Sequence, residues 1–272
     1  MKSKRAALAV IIIALWLGGL AMMVRRNANR SEAQQLAEVA LRVQPAAFYY
    51  LIEKDGQRIG AAASALDTTA KALISDDYFV GDYPPPGGTS PERTFARWQT
   101  RLTRGFRLAD LTIDVSRTTR PFHIQPSVQA DTLLLIDAAK ARGWDAPARL
   151  AVNPPLFTPS LAAVAFMLGG PHTIGRKQTM SVFDPTSRNV IRPELQIRAE
   201  SVFTVVDSAA QGPDGIWIEA HRDTVRAWKI EDAPHGLTAW VDAEGRVVGA
   251  RAGSLSAIRT AFEIAFKNAK TK

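Results

Sequence analysis

A chain of 272 residues, 46% of them apolar, is long enough for one or two domains with a core of ordinary size. Its net charge of +8 is concentrated at the start, because the first 30 positions contain six of the 34 basic residues and no acidic residue. The rest of the chain has 28 basic and 26 acidic residues. This near balance argues against a nucleic-acid-binding main domain, which needs a clustered basic excess. The absence of cysteine excludes disulfides, thiol catalysis and thiolate metal sites, without indicating a compartment.

Residues 6–24 form an uncharged apolar run. As a helix it spans about 28 Å, close to the thickness of the bilayer hydrocarbon, and in lipid the backbone must satisfy its own hydrogen bonds, which favours a helix. A cleaved signal peptide is the alternative, but such peptides have apolar cores of roughly 7–15 residues and a small-residue cleavage site. The length therefore predicts a single uncleaved membrane anchor, within a first region of residues 1–30.

The basic residues beside this anchor predict its orientation. Three side-chain cations precede the apolar run and three follow it shortly, so only the α-amine tips the positive-inside rule toward a cytoplasmic N-terminus. The remainder, residues 31–272, is then expected in the periplasm of a bacterium with two membranes, and the anchor in the inner membrane. The cations expected at the membrane interface are Lys4, Arg5, Arg25 and Arg26.

Small residues within the anchor indicate a surface on which another membrane helix could pack closely, at Ala14, Gly18 and Gly19. The alternative explanation, which we prefer, is that small residues are frequent in membrane helices whether or not another helix packs on them. The run contains no ionisable side chain, which argues against an ion path or a proton relay.

After the anchor, residues 31–43 have helical apolar spacing, and Ser31 and Gln34 have the spacing of a capping box. We predict a juxtamembrane helix in a second region, residues 31–45, which ends at Pro45. A third region, residues 46–272, is then the extramembrane domain.

The extramembrane domain begins with the period-two pattern of strands. Residues 47–54 and 57–66 flank Asp55-Gly56, which predicts a hairpin. Further strands are predicted at 70–80, 95–102, 108–117, 150–152, 173–183, 190–206, 216–228, 236–241 and 246–250, with residues 132–141 as a strand or a short helix. The proline- and glycine-rich residues 82–91 predict a loop.

Two helices are predicted among these strands. Residues 158–168 have Pro159 near the start and Gly169-Gly170 after the end, an asymmetry typical of a short helix, and their apolar character predicts burial. Residues 255–269 have helical apolar spacing, with Ser254 as a plausible cap, and predict a terminal amphipathic helix. The expected fold is mainly β: a large curved antiparallel sheet, sandwich or open barrel with one internal and one C-terminal helix.

We find no pattern of catalytic, cofactor or metal-binding residues. The four histidines are far apart and none has metal-ligand spacing, and no nucleophile elbow occurs. Gly170–Lys177 has the two glycines of a phosphate loop, but Arg176 occupies the lysine position and the flanking elements are reversed. Asp184 and Asp242 fit turn chemistry. The tryptophans Trp98, Trp144, Trp217, Trp228 and Trp240 are expected in the core in preference to a ligand groove.

Three patches of sequence carry a resemblance, and all of them are turn and strand signatures. They are Gly56–Gly60 after Phe48–Tyr50, Val182–Arg188 before a long strand, and Trp240–Val248. Together they resemble the β-rich domain that accompanies transglutaminase-like domains in bacterial envelope proteins, and more distantly a periplasmic domain of unknown function similar in shape to lipoprotein-carrier clamps. The resemblance covers roughly residues 46–268 and implies a curved antiparallel sheet in the periplasm without catalytic residues. The transglutaminase core is absent because its cysteine nucleophile is missing.

Two functions fit these features better than an enzyme of unrecognised type. The one we prefer from sequence is a non-enzymatic accessory subunit, which braces an inner-membrane complex, such as a photosynthetic or respiratory one, on its periplasmic face. Its partners are then the membrane and other integral membrane proteins. The alternative is a periplasmic carrier or sensor of lipid or another apolar ligand. A carrier needs a continuous apolar cavity of several hundred Å³, whereas a bracing subunit needs a filled core and a large interface.

Overall fold

A computed structural model describes residues 43–84, 88–119, 121–129, 133–137, 141, 143, 148–152, 155–184 and 189–268. The predicted membrane anchor and nearly all of the predicted juxtamembrane helix lie outside these residues, and so do Lys4, Arg5, Ala14, Gly18, Gly19, Arg25, Arg26 and Trp144. Among the residues that are described, none of the helices has the length and hydropathy needed to cross a bilayer.

The fold is mainly β, as predicted, and is dominated by one antiparallel sheet of twelve strands. Its members are β1 (Ala46–Lys54), β2 (Gln57–Thr68), β3 (Ala72–Tyr83), β4 (Glu92–Thr103), β5 (Leu108–Ser116), β6 (Phe122–Ile124), β11 (Lys177–Thr179), β14 (Glu194–Gln211), β15 (Trp217–Asp232), β16 (Leu237–Asp242), β17 (Val247–Ala252) and β18 (Leu255–Thr260). The order across the sheet is β11-β14-β15-β16-β17-β18-β1-β2-β3-β4-β5-β6. The sheet is open, with β11 and β6 at its two edges.

Two smaller sheets and one helix complete the described structure. One small sheet contains β7 (Ser127–Gln129), β8 (Leu133–Ile136) and β9 (Ala148–Ala151), and the other contains β10 (Leu156–Phe157), β12 (Ser181–Asp184) and β13 (Asn189–Ile191). The helix α1 (Pro159–Leu168) lies where the sequence predicts it and is buried on most sides, as its apolar composition requires. A 3₁₀ turn (Ala233–His235) and a π-helical turn (Glu263–Lys267) are the remaining helical segments.

The first hairpin confirms the prediction made from its turn residues. Asp55 and Gly56 both have positive φ, 51° and 76°, the backbone of the tight turn whose twist matches that of the flanking strands. Asp55 N also donates to Ser254 O at 3.0 Å. The turn between β1 and β2 is therefore joined to the turn between β17 and β18.

The main sheet curves around α1. Ser160 contacts Asp77 of β3, while Val164, one helical turn later, lies against Gly245 in the turn between β16 and β17. Strand β3 is four positions from β17 and five from β16 in the sheet, which is about 19–24 Å in a flat sheet. Because one helical turn rises only about 5.4 Å, both contacts require a curved sheet with α1 on its inner face.

Strand alternation divides the sheet into that inner face and an outer one. Inner-face residues of β3, β4 and β5 pack with α1, β8, β10 and β12 into one buried core, whose most completely buried members include Leu73, Leu102, Phe106, Leu111, Ile113, Ile124, Leu134, Phe157, Phe166, Met167 and Phe183. On the outer face, Tyr49 contacts Phe262 and Phe266 at centroid distances of 5.1 and 6.2 Å. The π-helical turn therefore covers part of the outer face.

The predicted C-terminal helix over residues 255–269 is wrong. Residues 255–260 form strand β18, which pairs with β17 on one side and β1 on the other, and helical backbone is confined to the segment after it. The apolar spacing fits both structures, but only a strand satisfies the backbone groups of β1 and β17. Ser254 is a turn residue and not a cap.

Two long predicted strands in the second half are each divided. Residues 173–183 contain β11 and β12, which belong to different sheets, and residues 190–206 contain β13 and the start of β14. Pro193 lies at the second division, and its carbonyl accepts a 3.1 Å hydrogen bond from Met180 N at the first. Proline cannot continue a ladder because it lacks an N–H, so the chain changes sheets at this point.

Strands β14 and β15 extend beyond their neighbours as a hairpin arm, residues 202–226, since β15 pairs with β16 only from Ala227 onward. Val205 of the arm packs with Ala227 at its base and with Val248 in a second, smaller buried cluster. At its tip, Trp217 N donates to Asn268 Oδ1 at 2.9 Å and Asn268 Nδ2 donates to Trp217 O at 2.7 Å. The arm is thus attached to the chain that follows the π-helical turn.

Candidate apolar ligand site

A cavity of about 380 Å³ lies between the inner face of the sheet and the start of α1. Its walls are almost entirely apolar and come from strands β1–β4, β17 and β18 together with the first turn of the helix. The lining residues are Tyr50, Ile52, Ala62, Ala63, Ser64, Asp77, Tyr78, Phe79, Trp98, Thr158, Pro159, Ser160, Val247, Ala250 and Ala257.

Small side chains at inward positions leave this space open. Ala62 lies opposite Tyr50 and Phe79 in the neighbouring strands, and Ala257 lies opposite Ala250 and beside Ile52. Interiors are normally packed without voids larger than a water molecule. A row of alanines facing a helix that does not extend over them therefore creates a groove.

The groove continues past this cavity. A second segment of about 370 Å³ shares Ile52, Phe79, Ala250 and Ala257 with the first and extends along β17 and β18 toward Leu237 and Leu255. The two segments adjoin through these four apolar residues. Together they form one elongated apolar groove, which we call the inner groove.

A carboxylate surrounded by hydroxyls lies in the wall of the first segment. Ser64 Oγ donates to Asp77 Oδ1 at 2.5 Å, while Ser75 Oγ and Ser160 Oγ donate to Asp77 Oδ2 at 3.0 and 2.7 Å. Strand pairing places Ser64 directly opposite Asp77, Ser75 shares its face of β3, and Ser160 comes from α1. The carboxylate therefore links two strands and the helix.

Burial is the main influence on the charge of Asp77. Loss of water raises the pKa of the Asp77 carboxyl, and the three serine hydrogen bonds act in the opposite direction, while the nearby charge of Asp76 raises it further. Among the described residues, all three side chains that hydrogen bond to Asp77 are neutral hydroxyls. The described part of the chain thus gives this carboxyl hydroxyl donors and no cationic hydrogen-bond partner.

The lining of the same segment includes a buried phenol. Tyr50 is 7% exposed, and its hydroxyl donates to Val247 O at 3.2 Å. Burial raises the pKa of Tyr50 above its ordinary value, while the charge of Arg259 lowers it. Arg259 stacks over Phe48 at 4.2 Å, and burial lowers the pKa of its guanidinium. Tyr50 therefore remains a neutral phenol at ordinary pH.

Two of the motifs with chemical residue types, at Arg176 and Asp242, have structural roles. Arg176 of the near phosphate loop stacks on Phe166 at 4.3 Å and donates to Phe166 O at 2.5 Å, so it satisfies a carbonyl near the end of α1, where a cation is favourable. Asp242 accepts hydrogen bonds from two turn amides, Glu244 N and Arg246 N, at 3.0 and 2.9 Å. This is the turn chemistry predicted from its sequence.

The histidines are separated in space as well as in sequence. Their nearest polar partners are Asp114 for His123, Met167 O for His172, Asp207 for His221 and Asp232 for His235. Within the described residues, no group of three or more acidic, histidine or cysteine side chains could hold a metal ion.

The described tryptophans are divided among the core, the groove and the hairpin arm, where Trp217 is half-buried beneath Lys267 and the core prediction is wrong. Trp228 is buried, as expected, and its ring lies 4.6 Å from that of His172. Trp240 packs on Phe203 in the smaller cluster. Trp98, however, packs against the core and also lines the inner groove.

The polar residues of the groove are not identified by the sequence patterns alone. Asp76 and Asp77 are adjacent, and only the register of β3 decides that Asp77 faces inward while Asp76 pairs with Arg97 on the outer face. Ser160 reaches this carboxyl from 83 residues away. The sequence contains one signal for this site. Leu73, Ser75, Asp77 and Phe79 are spaced two residues apart, so they share one face of β3, and two of the four are polar on an otherwise apolar face.

The fold and the groove define a β-rich domain with an open antiparallel sheet around an internal helix. It is similar to the crystal structure of a β-barrel-like protein of the domain of unknown function DUF1849 from Brucella abortus, with a TM-score of 0.50 over 80% of this chain and 96% of that one. The two are 10% identical in sequence, so the similarity concerns the fold alone. No family model matches the sequence, and no curated protein matches it significantly.

Proposed function

We propose that this protein binds an apolar, lipid-like ligand in its inner groove and acts by binding, without catalysis. The observation that supports this most is the continuous apolar groove, whose two segments of about 380 and 370 Å³ are of the size typical of small-molecule sites. A groove of this size favours a carrier or sensor over a subunit whose core is filled. This is the function that the sequence offered as the alternative.

The predicted membrane attachment fits this proposal. An anchor at residues 6–24 holds the domain near a supply of lipid, and the predicted orientation places it in the periplasm. In this proposal, the domain takes up or senses an apolar molecule at the membrane surface. The more specific resemblance to lipoprotein-carrier clamps belongs to the same proposal, since it implies a similar use of a curved sheet.

The direct test is to identify what accompanies the protein. The full chain is purified in a mild neutral detergent, and bound small molecules are measured by native mass spectrometry and identified after extraction. We expect an amphiphile or lipid at close to one molecule per chain. A chain that is empty, and that also binds no added single-chain amphiphile, would overturn the proposal.

A blocking variant tests the location. Ala257 lies at the junction of the two groove segments, and Ala257→Trp should fill it and abolish binding of any apolar probe. Ile258 is the next residue but faces outward, with 44% of its surface exposed, so Ile258→Trp is the matched control and should bind normally. Equal binding by both variants would place the ligand elsewhere.

The accessory-subunit function remains a second proposal, favoured by apolar side chains on the outer surface. Phe95, Ile258 and Phe262 are each exposed by more than 40%, and exposed apolar groups of this kind are found at protein interfaces. Cross-linking in intact membranes followed by mass spectrometry tests it. The proposal is supported if a membrane protein cross-links to these residues in stoichiometric amount. It is contradicted if no such cross-links form.

A further inference from the structure

The inner groove has a polarity that indicates the head group of its ligand. In the part of the chain that the structure describes, Asp77 is the sole acidic or basic side chain lining the segment beside α1. Arg251 lines the other segment and is solvent-exposed. One end of the groove therefore carries a negative charge when Asp77 is ionised, while Arg246 and Arg259 lie over Phe48, at 5.5 and 4.2 Å, outside the lining of this segment.

An anionic head group is unsuited to this end. A carboxylate or phosphate placed beside Asp77 would bring two like charges together in a medium of low dielectric constant, which is strongly unfavourable. A cationic amine instead completes a charge-assisted hydrogen bond to a carboxylate whose hydrogen-bond partners, within the described residues, are neutral hydroxyls.

The aromatic residues around Asp77 favour the same chemistry. Trp98 lies directly opposite Asp77 in the neighbouring strand, and Tyr50 lines the same segment. Cations are attracted to the faces of aromatic rings, most strongly to tryptophan. An aromatic wall beside a carboxylate is thus suited to an ammonium group.

We infer that the inner groove binds an amphiphile with a cationic amine head group, whose nitrogen donates to Asp77 and whose apolar chain extends past Phe79 and Ile52 toward Leu255. This inference rests on the proposed function and names the ligand class within it. The hydroxyls of Ser64, Ser75 and Ser160 hold the carboxylate in position to receive the amine.

The test compares three probes with the same chain length, namely dodecylamine, dodecanol and dodecanoate, each titrated separately into the full chain in a neutral maltoside detergent at pH 7.5. Bound probe is counted by native mass spectrometry. We expect the amine to bind at least about tenfold more tightly than dodecanoate, a ratio that corresponds to one charge-assisted contact, with dodecanol in between.

Two variants identify the carboxylate responsible. Asp77→Asn should remove the preference for the amine and retain binding of dodecanol, whereas Asp82→Asn, at an exposed outer-face position of the same strand that lines neither segment, should behave like the unaltered chain. Because all three proteins are measured in the same detergent, differences in micelle partitioning cancel. Should Asp77→Asn fail to fold, the ranking of the three probes on the unaltered chain still decides.

The outcomes separate the two proposals. If no probe binds, the proposed function fails. If dodecanol and dodecanoate bind as tightly as dodecylamine, the groove binds apolar ligands but the inference about the head group is wrong. A preference for the amine that persists in Asp77→Asn would also overturn the assignment to this carboxyl.

Discussion

Ser160 Oγ donates a 2.7 Å hydrogen bond to Asp77 Oδ2 and so joins the first turn of α1 to strand β3. The bond fixes the helix over one end of the inner groove. It also means that the position of α1 depends on a side chain in the proposed ligand site.

Ser160→Ala should therefore destabilise the domain by about 1–3 kcal/mol, since it removes one of three donors to a poorly solvated carboxyl. Ser256→Ala is the control, because Ser256 makes a longer, 3.5 Å hydrogen bond to Glu53, and should cost less than about 0.5 kcal/mol. Urea unfolding followed by circular dichroism measures both. Equal losses would show that the link between α1 and Asp77 contributes little to stability.

The raised pKa of Asp77 predicts how stability depends on pH. Burial raises the pKa of this carboxyl in the folded state, so the folded protein binds more protons than the unfolded chain between the ordinary and the raised values. Stability contributed by this group is then present below the ordinary carboxyl pKa and is lost as pH rises through the raised value.

Asp77→Asn should remove this part of the pH dependence and unfold at the same or a higher temperature than the unaltered chain at pH 7.5. Thermal unfolding from pH 3.5 to pH 8 measures it, with Asp82→Asn, at an exposed position of the same strand, as the control. A large fall in the unfolding temperature of Asp77→Asn at pH 7.5 would contradict the prediction. A buried carboxyl that lowers the stability of the folded protein at pH 7.5 does not serve folding, so its presence is better explained by a role in ligand binding.

Gly245 predicts a third result. Its φ is +84°, and an added Cβ would lie 2.2 Å from Val164 Cα in α1. Gly253 has a similar φ of +59°, but a Cβ there would meet nothing within 4 Å. Substituting alanine at each of the two glycines therefore distinguishes the cost of left-handed backbone from the cost of a steric clash with α1.

Gly253→Ala should cost about 1–2 kcal/mol, the usual penalty of left-handed backbone, whereas Gly245→Ala should cost at least about 3 kcal/mol because backbone must also move away from backbone. Chemical denaturation of the two variants gives the comparison. Similar losses would mean that α1 can shift away from the sheet without consequence.

Local sequence signals were sufficient for some elements and not for others. The turn at Asp55-Gly56 and the boundaries of α1 depend on residues adjacent in the chain, so they could be predicted. Strand β18 could not, because its choice between helix and strand depends on β1, some 200 residues earlier. The polar part of the groove was missed for a similar reason, since register decides which of Asp76 and Asp77 faces inward.

The hairpin arm provides the last prediction, which concerns local motion. Asn268 holds the tip through two hydrogen bonds to the backbone of Trp217, at 2.9 and 2.7 Å, and Lys267 lies 4.3 Å above the Trp217 ring. The outer part of the arm beyond this attachment has few buried apolar residues. Segments with few buried contacts open at lower free energy than the global unfolding transition.

Asn268→Ala should therefore raise amide hydrogen exchange at residues 211–218 by about ten- to a hundredfold, the range that corresponds to two lost hydrogen bonds. Exchange in β1–β3 should stay unchanged, because the amides of these strands are held by their own ladder hydrogen bonds and the π-helical turn keeps its ring contacts with Tyr49 in this variant. Asn189→Ala is the control, since Asn189 accepts a hydrogen bond only from the amide of the following residue among the described contacts. If exchange rose equally in β1–β3, the arm and the groove would open as one unit, and the arm would have to be treated as part of the structure that controls access to the ligand.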